Sequence, residues 1–115
     1  MNYKEYVISR LKKFDKKDII FTDHSLIRIR QRQLDKDEII ENIINPRRLS
    51  YAIREKSASK AEEKFDCYFG YSKTLCHRYV MVIKDNVIIV TVVKINRRWQ
   101  RIAEKKLKNT RNKNA

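Results

Sequence analysis

The sequence predicts an α+β domain in which N-terminal helices pack on one face of an antiparallel four-stranded sheet, followed by a basic C-terminal helix or tail. Three observations predict it. Apolar residues recur at helical spacing before residue 45, they alternate with polar residues from Leu49 onward, and turn-forming segments separate the β-type runs. The 115 residues contain one Gly and one Pro. We therefore expect a single domain, with a core over about 3–104 and a basic tail over about 105–115.

Three helices are predicted, over residues 2–14, about 23–33 and 35–45. Apolar residues follow helical spacing in the first and third. Polar side chains that can cap a helix precede the second and third, and the proline follows the third. The apolar positions of the first helix are Tyr3, Val7, Leu11 and Phe14. Thr22 or Asp23 can cap the second helix, Asp35 and Glu38 form a capping-box-like pair at the start of the third, and Pro46 ends it.

Strands are predicted at Leu49 to Ile53 and over residues 65–69, 75–83 and 87–95. The first alternates apolar and polar residues, and the last two are rich in β-branched side chains. Asp85-Asn86 separates those two runs, which is typical of a tight hairpin turn. The segment NRRWQRIAEKKLK then predicts the final helix.

Charge is the strongest compositional feature. The chain has 28 Lys and Arg against 14 Asp and Glu, a net charge of +14. Such a surplus attracts polyanions, although a lysine-rich solvated surface is the alternative. Without a long apolar run or a signal-peptide core, we expect a cytoplasmic protein with no membrane contact. The two cysteines suit neither a zinc site nor a disulfide scaffold, and no cofactor motif is present, so we expect no metal or cofactor.

Pairing the strands across the predicted turns produces a polar row on one face of the sheet. If Asp85-Asn86 is a two-residue turn, residue 84 pairs with 87 and His77 lies opposite Lys94. If residues 70–73 form a four-residue loop, Asp66 lies opposite His77. Side chains alternate across a strand, so these three form a row on one face. A neighbouring carboxylate would orient the imidazole, although ordinary cross-strand charge pairs are the alternative. The same face also carries Tyr68 and Tyr79.

The same register has two further consequences. It places Cys67 opposite Cys76, on neighbouring strands and on the face that packs against the helices. It also places Arg78 on that face, near its edge. A guanidinium there is unfavourable unless it pairs with an acid or reaches water.

A second basic group lies on the second predicted helix. His24, Arg28 and Arg32 are spaced i, i+4 and i+8, which places them on roughly one side. Near the free N–H groups of a helix start, this spacing indicates a phosphate-binding ridge. The alternative is structural: His24 caps its helix, and the arginines pair with Glu38 or Glu41.

The stretch HSLIRIRQRQLDKDEII, followed by NP and later by IIVTVV, resembles a family of small proteins similar to RelE- and BrnT-type toxins. The resemblance covers about residues 20–98. His24, Arg28 and Arg32 match the helix motif H-x-x-x-R-x-x-x-R, and Gln33 stands where a glycine is frequent. The resemblance implies a RelE-like α+β fold, an acidic antitoxin partner and metal-independent RNA cleavage. It carries over no catalytic residue.

We therefore predict an RNA-binding, toxin-like protein that acts as a metal-independent endoribonuclease, on free or ribosome-associated RNA. The alternatives are a non-catalytic nucleic-acid-binding module and a basic subunit that holds an acidic protein. Cleavage requires an acid, a base and cations around the phosphate. The predicted catalytic residues are His77, as acid or base, Lys94, Arg97 and Arg98, supported by Asp66. The predicted RNA-binding residues are His24, Arg28, Arg32, Tyr68, Tyr79 and Arg101.

Overall fold

A computed structural model describes residues 1–113 of the protein, with side chains through residue 109. Within these residues the chain is α+β, with a 3₁₀ turn at Lys16–Asp18. The helices are α1 (Lys4–Leu11), α2 (Asp23–Gln31), α3 (Lys36–Ile44) and α4 (Gln100–Lys113). The strands are β1 (Ile19–Phe21), β2 (Leu49–Glu55), β3 (Glu63–Ser72), β4 (Leu75–Ile83) and β5 (Val87–Ile95).

The sheet has five strands in the order β1-β5-β4-β3-β2, and β1 runs parallel to β5 while the other neighbours are antiparallel. The predicted four-stranded antiparallel sheet is therefore wrong in strand number and direction. The missed strand, Ile19–Phe21, lies between two helices and is three residues long. A segment that short shows no alternation, and its pairing with distant Val87 to Ile89 is invisible in the local sequence.

Helices cover both faces of the sheet. As the sequence predicts, α1, α2 and α3 contribute to one apolar cluster with side chains of the sheet, whereas α4 packs on the opposite face. Because β3 is covered on both sides, five successive residues, Phe65 to Phe69, are buried. The second cluster contains Ile53, Tyr68, Cys76, Trp99 and Ala103, with Leu107 packed against it.

The pairing of β4 with β5 matches the prediction in the half of β4 that contains His77 and Tyr79. His77 lies opposite Lys94 and Tyr79 opposite Val92. A bulge after Val80 shifts the register, so that Ile83, rather than residue 84, lies opposite Val87. The prediction from the Asp85-Asn86 turn is therefore one residue off beside the turn and correct at His77.

The pairing of β3 with β4 contradicts the prediction. Strand β3 extends through Ser72 into the assumed 70–73 loop, and Phe69, not Asp66, lies opposite His77. The shift of three residues is odd, so it moves side chains to the opposite face. The predicted row Asp66–His77–Lys94 is therefore wrong, because Asp66 lies on the α4 face and His77 on the face of α1–α3.

The register shift also corrects the predictions for the cysteines and Arg78. Cys67 lies opposite Tyr79, and the two free cysteines belong to clusters on different faces. Arg78 lies on the α4 face, where its guanidinium donates two hydrogen bonds of 2.7 Å to the Asp66 carboxylate. The unfavourable position predicted for Arg78 thus disappears once the strands are correctly paired.

Helix α4 is anchored by its first turns. The Trp99 indole N–H donates to the Ser72 carbonyl at 2.7 Å, and its ring lies on Gly70, where a Cβ would come within 2.6 Å of the ring. Lys106 bonds to Glu55, and Leu107 packs against the apolar cluster. The packed part of the chain therefore extends past the boundary predicted at residue 105. The predicted tail includes residues 114 and 115, which lie outside the described residues.

The end of α2 has a left-handed residue, Gln33, with a φ of 53°. Its N–H donates to the Arg30 carbonyl, and the Leu34 N–H donates to the Ile29 carbonyl. These two bonds form a Schellman motif, in which glycine is the favoured residue at the left-handed position. Gln33 thus adopts a left-handed conformation, which costs an L-residue energy.

Replacing Gln33 with glycine is expected to raise the free energy of unfolding by about 0.5 kcal/mol, because the relief of the left-handed conformation outweighs the extra entropy of the unfolded glycine. Gln31→Gly is the matched control inside α2, and it should lower stability by roughly 0.5–1 kcal/mol. Urea denaturation measures both. Equal destabilisation by the two substitutions would contradict the interpretation of the helix end.

Candidate nucleic-acid interface

His77 lies near the start of β4 in a buried polar network and is 3% exposed. Its Nδ1 is 2.6 Å from the Tyr79 hydroxyl oxygen, which also accepts a hydrogen bond of 2.9 Å from Asn42 Nδ2. Because the Tyr79 oxygen accepts from Asn42, the Tyr79 hydroxyl can donate its own proton to His77 Nδ1. Nδ1 is then the acceptor of the neutral imidazole, and the ring proton lies on Nε2. The described residues provide no hydrogen-bond partner for that N–H, which remains a donor for a ligand.

The network continues from Asn42 to the protein surface. The second N–H of Asn42 donates to the Tyr71 hydroxyl at 2.8 Å, and Tyr71 donates to Glu38 Oε2 at 3.0 Å. The Tyr71 ring contacts both the His77 ring, with centroids 4.7 Å apart, and the Arg48 guanidinium, 4.1 Å from the ring centroid. The strand ends and α3 are thereby joined by one connected set of polar and aromatic side chains.

Burial lowers the pKa of His77 below its usual 6.5. The Glu38 carboxylate opposes this shift by raising the pKa, whereas Lys94 and Arg48 lower it further. The imidazole is therefore neutral at pH 7. Burial raises the pKa of Tyr79 and of Tyr71, so both hydroxyls keep their protons. Both hydroxyl protons are used within the network, so the site offers the neutral His77 N–H as a donor rather than a free base.

Stability is expected to fall between about pH 7 and pH 5, in part through His77. Because the pKa is lowered in the fold, the unfolded chain takes up a proton below about pH 6.5 that the folded protein does not bind. His77→Gln removes this contribution, so its free energy of unfolding should decline less steeply over the same interval. Urea denaturation at several pH values measures the difference. Parallel curves for the two proteins would contradict the neutral state of the buried imidazole.

Exposed cations lie at the end of the sheet that carries this network, where β4 begins and β5 ends. We call them the basic end: Arg47, Arg48, Lys73, Lys94, Arg97 and Arg98. Within the described residues, none of the six has a carboxylate within 4.0 Å, and the cations that form ion pairs are Arg10, Arg78, Lys84 and Lys106. The predicted catalytic residues Lys94, Arg97 and Arg98 thus share one end of the molecule with His77.

Two adjoining cavities open beside the basic end. The smaller, of about 170 Å³, is lined by Glu38, Glu41, Asn42, Asn45, Arg47, Arg48 and Tyr71. The larger, of about 520 Å³, lies between α1 and the end of α3 and shares Glu41, Asn45 and Arg47 with the first. The two cavities therefore adjoin each other, and both have mixed polar and apolar walls.

The basic residues of α2 are only partly explained by local structure. Thr22, not His24, caps the helix, since its hydroxyl accepts from the Ser25 N–H at 3.1 Å. Arg28 bonds to Gln31, and Arg32 donates to the Val92 carbonyl on β5. Neither arginine pairs with Glu38 or Glu41 within the described residues, so that structural alternative is wrong. Phosphate binding by the three residues stays a prediction.

The remaining predicted site residues have different positions. Tyr68 and Tyr79 are fully buried, so neither ring face is open to a base, and Asp66 is a fully buried partner of Arg78. Arg101 is exposed on α4.

Tyr71, Asn42 and Arg48 were not predicted. Tyr71 fell in the assumed loop, whereas Asn42 had a detectable signal as a polar residue among the buried isoleucines of α3.

Within the described residues, no helix is long and apolar enough to cross a membrane. No group of three or more His, Cys, Asp or Glu side chains across the described chain is arranged to hold a metal ion. Comparison of the chain with protein-family models, curated proteins and solved structures gives no match. Function is therefore inferred from the chemistry of the side chains themselves.

Proposed function

We propose that the protein binds single-stranded RNA at the basic end. The observation that carries the proposal is a set of six exposed cations that have no carboxylate partner among the described residues and lie at the same end of the sheet as a half-buried aromatic stack and an open groove. Cations of this kind bind phosphates, and an aromatic ring with a guanidinium on its face provides a platform for an unstacked base. Double-stranded nucleic acid offers no such base, because its bases are stacked and paired.

The proposal predicts how binding depends on salt. Arg97→Gln with Arg98→Gln removes two cations of the basic end, and the slope of log K against log salt should decrease by about 0.7 for each phosphate that the variant no longer neutralises. Lys16→Gln with Lys17→Gln is the matched control, because these exposed lysines precede β1 at the opposite end of the sheet. Fluorescence anisotropy with a labelled oligonucleotide measures both slopes. Equal slopes would mean that binding is spread over the whole surface.

Metal-independent RNA cleavage is a second candidate function. His77 lies opposite Lys94 among the cations, and the resemblance of residues 20–98 to RelE- and BrnT-type toxins also favours it. In this reaction the 2′-oxygen attacks phosphorus and loses its proton to water. The bond from phosphorus to the 5′-oxygen breaks, and the leaving oxygen takes a proton from water. The neutral His77 N–H fits the role of a donor to the charged phosphorane, with Lys94 beside it, better than the predicted role of acid or base.

An acidic protein is a further proposed partner. Its carboxylates would neutralise the same cations that bind RNA, as the antitoxin implied by the toxin resemblance would. RNA and such a protein should then compete for the basic end. A purified complex that still binds RNA with unchanged affinity would contradict a shared surface.

A further inference from the structure

We infer that the 170 Å³ cavity beside Tyr71 recognises a guanine base of single-stranded RNA. The inference rests on the proposed RNA binding and names the base that the site selects. It depends on the free hydrogen-bond acceptors in the lining of the cavity, on the positive charge of the arginines there, and on the volume of the cavity.

The lining of the cavity is rich in free acceptors. Glu38 Oε2 accepts from Tyr71, but the described residues provide no donor for its Oε1. Asn42 uses both N–H groups on the two tyrosines, which leaves its Oδ1 without a donor among the described residues, and Asn42 is 5% exposed. Asn45 donates to Glu41 Oε1, so one oxygen of each of these side chains also remains available. A ligand that fits must therefore present hydrogen-bond donors.

Guanine is the base that best matches these acceptors. Its Watson–Crick edge carries two adjacent donors, N1–H and the N2 amino group, which can bond to the two oxygens of one carboxylate or to neighbouring acceptors. Adenine and cytosine place a ring acceptor beside their amino group, and uracil places two carbonyls around its single N–H. Each of these three would bring a lone pair against the Glu38 carboxylate.

The arginines that line the cavity select for a nucleotide rather than a free cation. Arg47 and Arg48 line it and are exposed, so they repel an amine or polyamine and attract the phosphates on either side of a bound base. The Arg48 guanidinium lies on the Tyr71 ring, and a base can stack on such a plane. A guanine nucleotide combines hydrogen-bond donors on its base with negative charge on its phosphates, and so matches both the acceptors and the arginines of the lining.

The dimensions agree with a single base. Pockets that enclose drug-sized ligands measure roughly 300–1,000 Å³, whereas this cavity measures about 170 Å³. The adjoining 520 Å³ groove shares Glu41, Asn45 and Arg47 with it and can take the neighbouring nucleotide.

The test uses three short uridine-rich RNA oligonucleotides that differ at one central base, which is guanine, hypoxanthine or adenine. Hypoxanthine lacks only the N2 amino group of guanine. The full-length protein should bind the guanine oligonucleotide most tightly, on the order of ten-fold more tightly than the adenine one, as expected when a base contact of two hydrogen bonds cannot form. The hypoxanthine oligonucleotide should lie between them.

Glu38→Gln is the variant that tests the contact. Its amide oxygen can still accept from Tyr71, so the fold is retained, but the bidentate acceptor is removed and the preference for guanine should disappear. Asp37→Asn is the matched control, since it changes the charge equally on the neighbouring exposed residue and should keep the preference. Thermal denaturation of both variants verifies folding.

The outcomes separate the inference from the proposed function. Tight, salt-dependent binding of all three oligonucleotides with equal affinity would overturn guanine recognition and leave RNA binding intact. Loss of the preference in Asp37→Asn as well would also overturn it, because net charge and not the hydrogen bonds of Glu38 would then be responsible. Absence of binding to any of the three would overturn both.

Discussion

Asp66→Asn is expected to lower the free energy of unfolding by about 3 kcal/mol, because it removes the charge from a buried ion-pair network. The carboxylate is fully buried and accepts two hydrogen bonds from Arg78 and one from Lys106. Lys106 also bonds to Glu55, so the network joins β2, β3 and β4 to α4. An asparagine cannot compensate two cations, and its N–H group would face another donor.

Urea denaturation measures this effect as a lower midpoint with an unchanged slope. Asp37→Asn is a suitable control, because Asp37 is exposed and its replacement should change stability by less than about 0.5 kcal/mol. Similar stability of Asp66→Asn and the wild type would show that the network contributes little. It would also reopen a functional role for Asp66, which the buried network otherwise explains as structural.

If the protein cleaves RNA, His77→Ala should slow cleavage by about 10²–10³-fold at saturating RNA, while the affinity for RNA changes little. This is the usual effect of removing one preorganised donor to a charged transition state. The geometric reason is that Tyr79 bonds to the other ring nitrogen, Nδ1, and thereby holds the imidazole in place. The Nε2–H is then presented at the basic end, where His77 lies opposite Lys94. Cleavage should persist in EDTA, because no metal takes part in the proposed step.

His24→Ala is the control, since His24 is the other histidine of the chain and is exposed on α2. It should leave the cleavage rate unchanged. Unaltered cleavage in His77→Ala would remove the imidazole from the reaction and shift attention to Lys94, Arg97 and Arg98. If the wild type binds RNA but leaves it intact, with or without EDTA, the protein is a binding module.

Part of the site followed from sequence patterns alone. The turn at Asp85-Asn86, between two β-branched runs, predicted His77 opposite Lys94, and this pairing holds because the bulge after Val80 offsets the one-residue error beside the turn. The basic segment after β5 placed Arg97 and Arg98 at the same end of the sheet. The aromatic and amide parts of the site did not follow. Tyr71 and Asn42 are 29 residues apart and meet only because α3 packs across the ends of β3 and β4.

What the sequence by itself determined was local: the caps that begin α2 and α3, the place of the turn between β4 and β5, and the positive charge. Each depends on side chains a few residues apart, whose backbone preferences act before any tertiary contact forms. Only the tertiary structure decided which face carries Asp66 and which carries His77, because both faces of the sheet are covered. The pattern of buried residues in β3 therefore contains no alternation that could reveal an odd shift in its pairing with β4.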